Sequence, residues 1–137
     1  MANEIFVDTS GFYALLIKAD DRHASADRHL RDARRRKRRF VTSDHVLDET
    51  ATLLKARGHL HLLGAFFEKV LASEACRIEW TDPERFHEAM TFFVKHADRA
   101  WSFTDCLSFR IMTGLRLREA LTKDGHFHQA GFVALLK

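Results

Sequence analysis

Ile5-Phe6-Val7-Asp8-Thr9-Ser10-Gly11-Phe12-Tyr13-Ala14-Leu15-Leu16 is the stretch on which the fold turns. Its first three residues are a short, uninterrupted apolar run, the pattern of a strand buried on both faces in a parallel sheet covered by helices. The run stops at an acid. Thr9 and Ser10 are helix N-cap types with an apolar segment directly behind them, so Asp8 is predicted to sit where the strand ends and a helix begins. In open α/β sheets that carboxyl edge is where ligands bind. A carboxylate among apolar neighbours is costly to ionise unless a cation or hydrogen-bond donors compensate it, which makes Asp8 a candidate metal ligand. An acid that merely caps the following helix is the alternative.

The 137 residues suit one domain with a real hydrophobic core, and 46% apolar residues with twelve Phe exclude a disordered chain. The N-terminus lacks a basic segment ahead of its apolar run and no apolar stretch could span a bilayer, so neither a signal peptide nor a membrane anchor is expected. Cys76 and Cys106 have no metal-type spacing and read as buried free thiols of a reduced, cytoplasmic protein. The net charge is only +3, and most of the excess sits in Arg34-Arg35-Arg36-Lys37-Arg38-Arg39. Six consecutive cations favour a polyanion such as RNA, with a solvated helix end as the bland alternative.

Further along, Asp20-Asp21-Arg22-His23 marks a turn before a polar helix to about Arg35. Phe40-Val41-Thr42 is predicted as the second strand. A helix capped by Ser43 or Asp44 then runs to Gly58, another from Leu60 to Ser73, and a third strand covers Cys76 to Trp80. Pro83 opens a helix to about Ala97. Ser102 caps the next, with Asp105 as its capping-box partner, ending near Gly114. Glu119-Ala120-Leu121-Thr122 and Phe132 to Leu136 are the fourth and fifth strands. Strands alternating with helices imply parallel βαβ units and a three-layer α/β fold whose strand order the pattern does not give.

With nineteen acids in the chain, position must choose among them. Asp8 and Asp124 each follow a predicted strand, and Asp105 lies in the first turn of a helix, so all three belong to one sheet edge. Successive helix residues point about 100° apart. Glu49 therefore shares a face with Val46 and Leu53 and is predicted to leave from a core-facing stripe, whereas Asp48 groups with polar Asp44, His45 and Thr52. Four such carboxylates brought together repel one another. Mg²⁺ or Mn²⁺ would relieve the repulsion, polarise a phosphodiester and activate water. Thr9, Ser10 and Thr104 are placed to orient a carboxylate, water or phosphate, or simply to cap.

Phe6-Val7-Asp8-Thr9-Ser10, Thr42 to Thr50, Trp101-Ser102-Phe103-Thr104-Asp105-Cys106 and Leu121-Thr122-Lys123-Asp124-Gly125-His126-Phe127, in that order, resemble the PIN domain nucleases, and most closely the VapC-type toxins. The resemblance implies a five-stranded parallel sheet in a three-layer α/β/α fold and a Mg²⁺- or Mn²⁺-dependent ribonuclease. It also implies homodimer formation and inhibition by a VapB-type antitoxin. Carried over by motif position, Asp8, Glu49, Asp105 and Asp124 form the acidic tetrad, although the family's fourth acid varies in position and role. Arg34 to Arg39 lie outside the motif, so RNA contact there rests on charge alone.

Two other functions compete. A phosphatase with Asp8 as nucleophile would want an acid two residues on, where Ser10 stands. A catalytically silent RNA-binding module of the same fold would not need intact acids at four places. The nine His show no zinc-like spacing and read as surface or packing residues. The pairs Phe66-Phe67 and Phe92-Phe93 read as core or dimer contacts away from the acidic edge.

Overall fold

Five short strands and seven helices alternate along a computed structural model that describes residues 3–136. The elements are β1 (Glu4–Val7), α1 (Thr9–Leu16), α2 (His23–Arg35), β2 (Arg39–Ser43), α3 (Asp44–Ala56), a 3₁₀ turn (Leu60–Leu62), α4 (Leu63–Ala72), β3 (Cys76–Glu79), α5 (Pro83–Lys95), α6 (Phe103–Leu115), β4 (Glu119–Leu121), α7 (Gly125–Gln129) and β5 (Val133–Ala134). All strand pairs are parallel, in the order β3-β2-β1-β4-β5. The chain thus builds outward from β1 to β2 and β3, then returns to lay β4 on the other side of β1. Crossovers between parallel strands are right-handed, so this reversal puts α1 to α4 on one face and α5 and α6 on the other. The helix contacts agree: α1 packs on α2 and α3, α3 on α4, and α5 on α6. The expected three layers are present.

β1 is central for a reason legible in its side chains. Phe6 lies beside Val41 of β2 and Ala120 of β4, and all three are fully buried. Burying a large apolar side chain contributes about 1.5–3 kcal/mol, so a polar residue at Phe6 would cost the strand its place. α1 starts hard against β4. A Cβ at Gly11 would fall 2.0 Å from the Leu121 carbonyl oxygen, so only glycine lets the helix begin there.

Several boundaries differ from the sequence expectation. The helix expected from Leu60 is a 3₁₀ turn followed by α4. β3 ends at Glu79 rather than Trp80, and α5 ends at Lys95. β5 shrinks to two residues, because it is an edge strand paired on one side only. α7 was not anticipated as a helix, since five residues are too few to show a helical period. α5 is amphipathic in an unusual sense. Ala89 faces inward and is buried, while Phe86, Met90, Phe93 and Val94 remain exposed, Val94 at 66%.

Phe66 is buried as expected, but Phe67 is exposed. Phe93 reaches the ring of Phe103 at the start of α6, so that pair is nearer the acidic edge than its sequence position implied. Cys106 is buried and Cys76 only half-buried.

Candidate active site

The reversal of strand order between β1 and β4 creates a switch point, where the following loops diverge and leave a crevice at the strands' carboxyl ends. Asp8 leaves β1 at that crevice and is 7% exposed. Asp8 stands at the N-cap of α1, but its side chain makes no capping bond there. Instead its Oδ2 accepts from the Thr122 hydroxyl at 3.0 Å. Thr122 also accepts the Asp124 amide at 3.0 Å and lies 3.0 Å from the Ser10 hydroxyl, which accepts the Lys123 amide. A hydroxyl has one proton to give. Thr122 gives it to Asp8, so Ser10 must donate to Thr122, and the chain of bonds has a single direction. Thr122, fully buried, ties the ends of β1, α1 and β4 together. Sequence reasoning used it only as the end of a strand.

On the opposite wall, Asp105 is the third residue of α6. Its carboxylate accepts the Ser102 amide at 3.1 Å while Ser102 Oγ accepts the Asp105 amide, the reciprocal capping box the sequence predicted. The same Asp105 oxygen accepts from His126 Nδ1 at 2.9 Å. Asp124 caps α7 by accepting the His126 amide at 2.9 Å. Donor atoms of Asp105, Asp124 and His126 all lie within 4.8 Å of one another. His126 is therefore a correction to the reading of all nine His as surface or packing residues. A carboxylate only accepts, so the bond to Asp105 puts the proton on Nδ1 and turns Nε2 outward as an acceptor. The signal lay in sequence, two residues beyond Asp124, but needed α7 to bring it round.

Glu49 stands apart from this group. It is exposed, as is Asp48, and the buried stripe of α3 is Val46, Leu47, Thr50 and Leu54. The core-facing expectation fails because, although Val46 is buried, Glu49 and Leu53 line an open depression beside Thr9 of α1. Across that depression Glu49 accepts the Thr9 hydroxyl at 3.2 Å, so Thr9 links it to the residue after Asp8. Thr104 is buried beside Asp105.

The basic run lies elsewhere. Arg39 opens β2 opposite Glu4, and Arg38 pairs with Glu119 at the start of β4 at 2.6 Å, so Arg34 to Arg39 sit at the amino edge of the sheet. That is a strand's length from the acids. There Arg34, Lys37, Arg38 and Arg39 border a 580 Å³ cavity floored by Phe12, Leu30, Phe40 and Phe66.

Electrostatics make the acids unusual. Burial, partly offset by the Thr9 amide and the Thr122 hydroxyl and reinforced by Asp105 and Asp124, pushes Asp8 up to about 7. Burial also raises Asp105, against the Ser102 and His126 bonds that favour its charge. Among the described residues no Lys or Arg pairs with Asp8, Asp105 or Asp124. Buried carboxylates held close without a cation match the donor set of a hard divalent ion. The residues present fit one.

A switch-point crevice lined with carboxylates is a site at which an α/β fold could hold a divalent ion, and the comparisons say which family this is. The PIN domain profile matches residues 5–133, and the chain belongs to the PIN domain family. It is similar to the 23S rRNA-specific endonuclease VapC20 of Mycobacterium tuberculosis, in strains CDC 1551 and H37Rv. The identity is 37% over 130 residues, covering 94% of this chain and 95% of that protein. The crystal structure of M. tuberculosis VapC20, a Sarcin-Ricin loop cleaving toxin, matches with a TM-score of 0.84 at 36% identity, covering 97% of this chain and 99% of that one.

Proposed function

We propose that the protein is a divalent-metal-dependent endoribonuclease, the toxin of a VapBC-type toxin–antitoxin pair. The observation that carries this reading is the grouping of buried Asp8 and Asp105 with half-buried Asp124 and His126, unpaired with any Lys or Arg among the described residues, at the ligand edge of a PIN fold. These three acids would hold Mg²⁺ or Mn²⁺, with Glu49 closing the site from across the groove. Such an ion supplies Lewis acidity, polarising a phosphodiester and making water nucleophilic near neutral pH. The remaining chemistry belongs to the chain. The Ser10–Thr122 hydroxyls keep Asp8 oriented, Thr9 orients Glu49, Thr104 lines the wall beside Asp105, and His126 fixes Asp105 and Asp124 while leaving Nε2 free to take a proton.

The substrate class is structured RNA, and the likeness to VapC20 favours the Sarcin-Ricin loop of 23S rRNA in the cytoplasm. Arg34 to Arg39 contact that RNA away from the cut. A VapB-type antitoxin is the inhibitory partner. A second copy covers the exposed face of α5. Its first turn carries Glu84 and its last turn Lys95, so an antiparallel pairing opposes unlike charges. No helix among the described residues is long and apolar enough to cross a membrane.

The test is cleavage of ribosomal RNA by purified protein, with 5′ ends mapped. Cleavage restored by Mg²⁺ or Mn²⁺ and lost in chelator and in Asp105→Asn supports the enzyme. RNA binding without cleavage at any metal concentration supports the silent module instead. A phosphoryl group trapped on Asp8 would revive the phosphatase.

A further inference from the structure

We propose that Arg57 and His59, at the far end of the groove between α1 and α3, hold a phosphate of the RNA strand a short way along from the one being cut. The inference rests on the ribonuclease reading above. Two rows of side chains face each other across that groove. Thr9 and Tyr13 are one turn apart on α1, while Glu49 and Leu53 on α3 lead to Arg57, its C-cap, at one-turn spacing. At the acidic end Thr9 donates to Glu49. At the other end the Arg57 guanidinium lies 4.8 Å over the Tyr13 ring. A 410 Å³ depression lined by Thr9, Asp48, Glu49, Thr52, Leu53 and Ala56 runs from the acidic end to the residue before Arg57. The eight residues from Glu49 to Arg57 span about 12 Å along the helix.

The chain is shaped to hold this basic end. Gly58 takes φ +80°, a left-handed conformation costly for other residues, and its amide bonds to the Lys55 carbonyl while that of His59 bonds to Leu54. The turn swings His59 back over α1, where its Nε2 meets the Tyr13 hydroxyl at 3.2 Å. His61 follows, its ring 6.4 Å from that of His59. Arg57 has no carboxylate partner among the described residues. Stacking on Tyr13 fixes the plane of the guanidinium and leaves its N–H edges free, the arrangement that suits a phosphate. Asp48 and Glu49 border the acidic end of the groove and repel free phosphate there. A strand is therefore gripped at the ends, its sugar and base lying over Leu53 and Ala56 between them.

A purely structural account has Arg57 complementing the negative end of the α3 dipole. That account predicts a change in melting temperature and none in RNA affinity. The decisive experiment measures anisotropy of a labelled single-stranded RNA with Asp8→Asn and with Asp8→Asn/Arg57→Gln, over a range of salt. Loss of one charge-assisted contact predicts roughly tenfold weaker binding. It also predicts a salt slope shallower by about 0.7. Arg57→Lys keeps most of the slope, and Arg31→Gln at an exposed position of α2 changes neither quantity. Unchanged affinity and slope in Arg57→Gln overturn the proposal. Cleavage by the native chain is assayed separately. If it cuts RNA and Arg57→Gln leaves KM untouched, the phosphate contact falls and the ribonuclease stands. If it never cuts, the ribonuclease falls and the binding comparison still decides Arg57.

Discussion

Replacing Asp8 with Asn should destroy activity and stabilise the metal-free fold, and the second effect is the sharper test. The buried carboxyl is pushed from 3.8 up to about 7, so the folded protein binds a proton there that the unfolded chain releases. The linkage sign follows. The neutral form's advantage is complete below 3.8 and is lost as pH rises toward about 7, where the folded group ionises in its apolar setting. Each pH unit in that window costs about 1.4 kcal/mol, and the whole window about 4 kcal/mol. That is a large part of the 5–15 kcal/mol typical of a domain. Asn keeps one acceptor oxygen, enough for the Thr122 hydroxyl, and never ionises. Urea unfolding in chelator should therefore find Asp8→Asn more stable than the native sequence, by a margin that grows by about 3 kcal/mol between pH 5 and pH 8. Adding Mg²⁺ or Mn²⁺ at a hundred times its Kd should return about 2.7 kcal/mol to the native protein alone. A margin that stays flat with pH, or an Asn variant weaker at pH 8, would refute the claim that an uncompensated buried charge sits at this position.

Thr122→Val removes the hydroxyl that serves Asp8, Asp124 and Ser10, and should cost about 1–3 kcal/mol in chemical unfolding, with reduced cleavage. Gly11→Ala drives a methyl into the Leu121 carbonyl and should cost about 1–3 kcal/mol or more; a native-like melting temperature would mean that α1 can slide away from β4. His126→Ala should weaken Mn²⁺ binding by about 10- to 100-fold in calorimetry while leaving the fold intact. Unaltered Mn²⁺ affinity would leave His126 a helix-end residue and nothing more.

What the sequence disclosed and what it withheld divide along the range of the interactions involved. β1, Asp8 and α1 are contiguous, so apolar run, acid and cap could be read directly. The Ser102–Asp105 capping box is equally local, and it delivered one wall of the site. The position of β4 beside β1 depends on pairing between residues more than a hundred apart, which no local period encodes. Thr122 and His126 acquire their roles only through that pairing and through the turn of α7. Glu49 failed differently: periodicity relates a helical residue to its own helix, and Leu53 marked the edge of a groove where the core was expected. The basic run announced its charge but not its address, and the register of Arg39 with Glu4 sends it to the far edge.

The late arrival of β4 has a temporal consequence. The central strand is made first, yet one of its two neighbours and the hydroxyl that steadies its acid belong to the final quarter of the polypeptide. During synthesis the groups of the candidate site therefore stay apart until Asp124 and His126 emerge to meet Asp8 and Asp105. The order of strands thus acts as a clock, and the site is assembled only once β4 and α7 have joined β1.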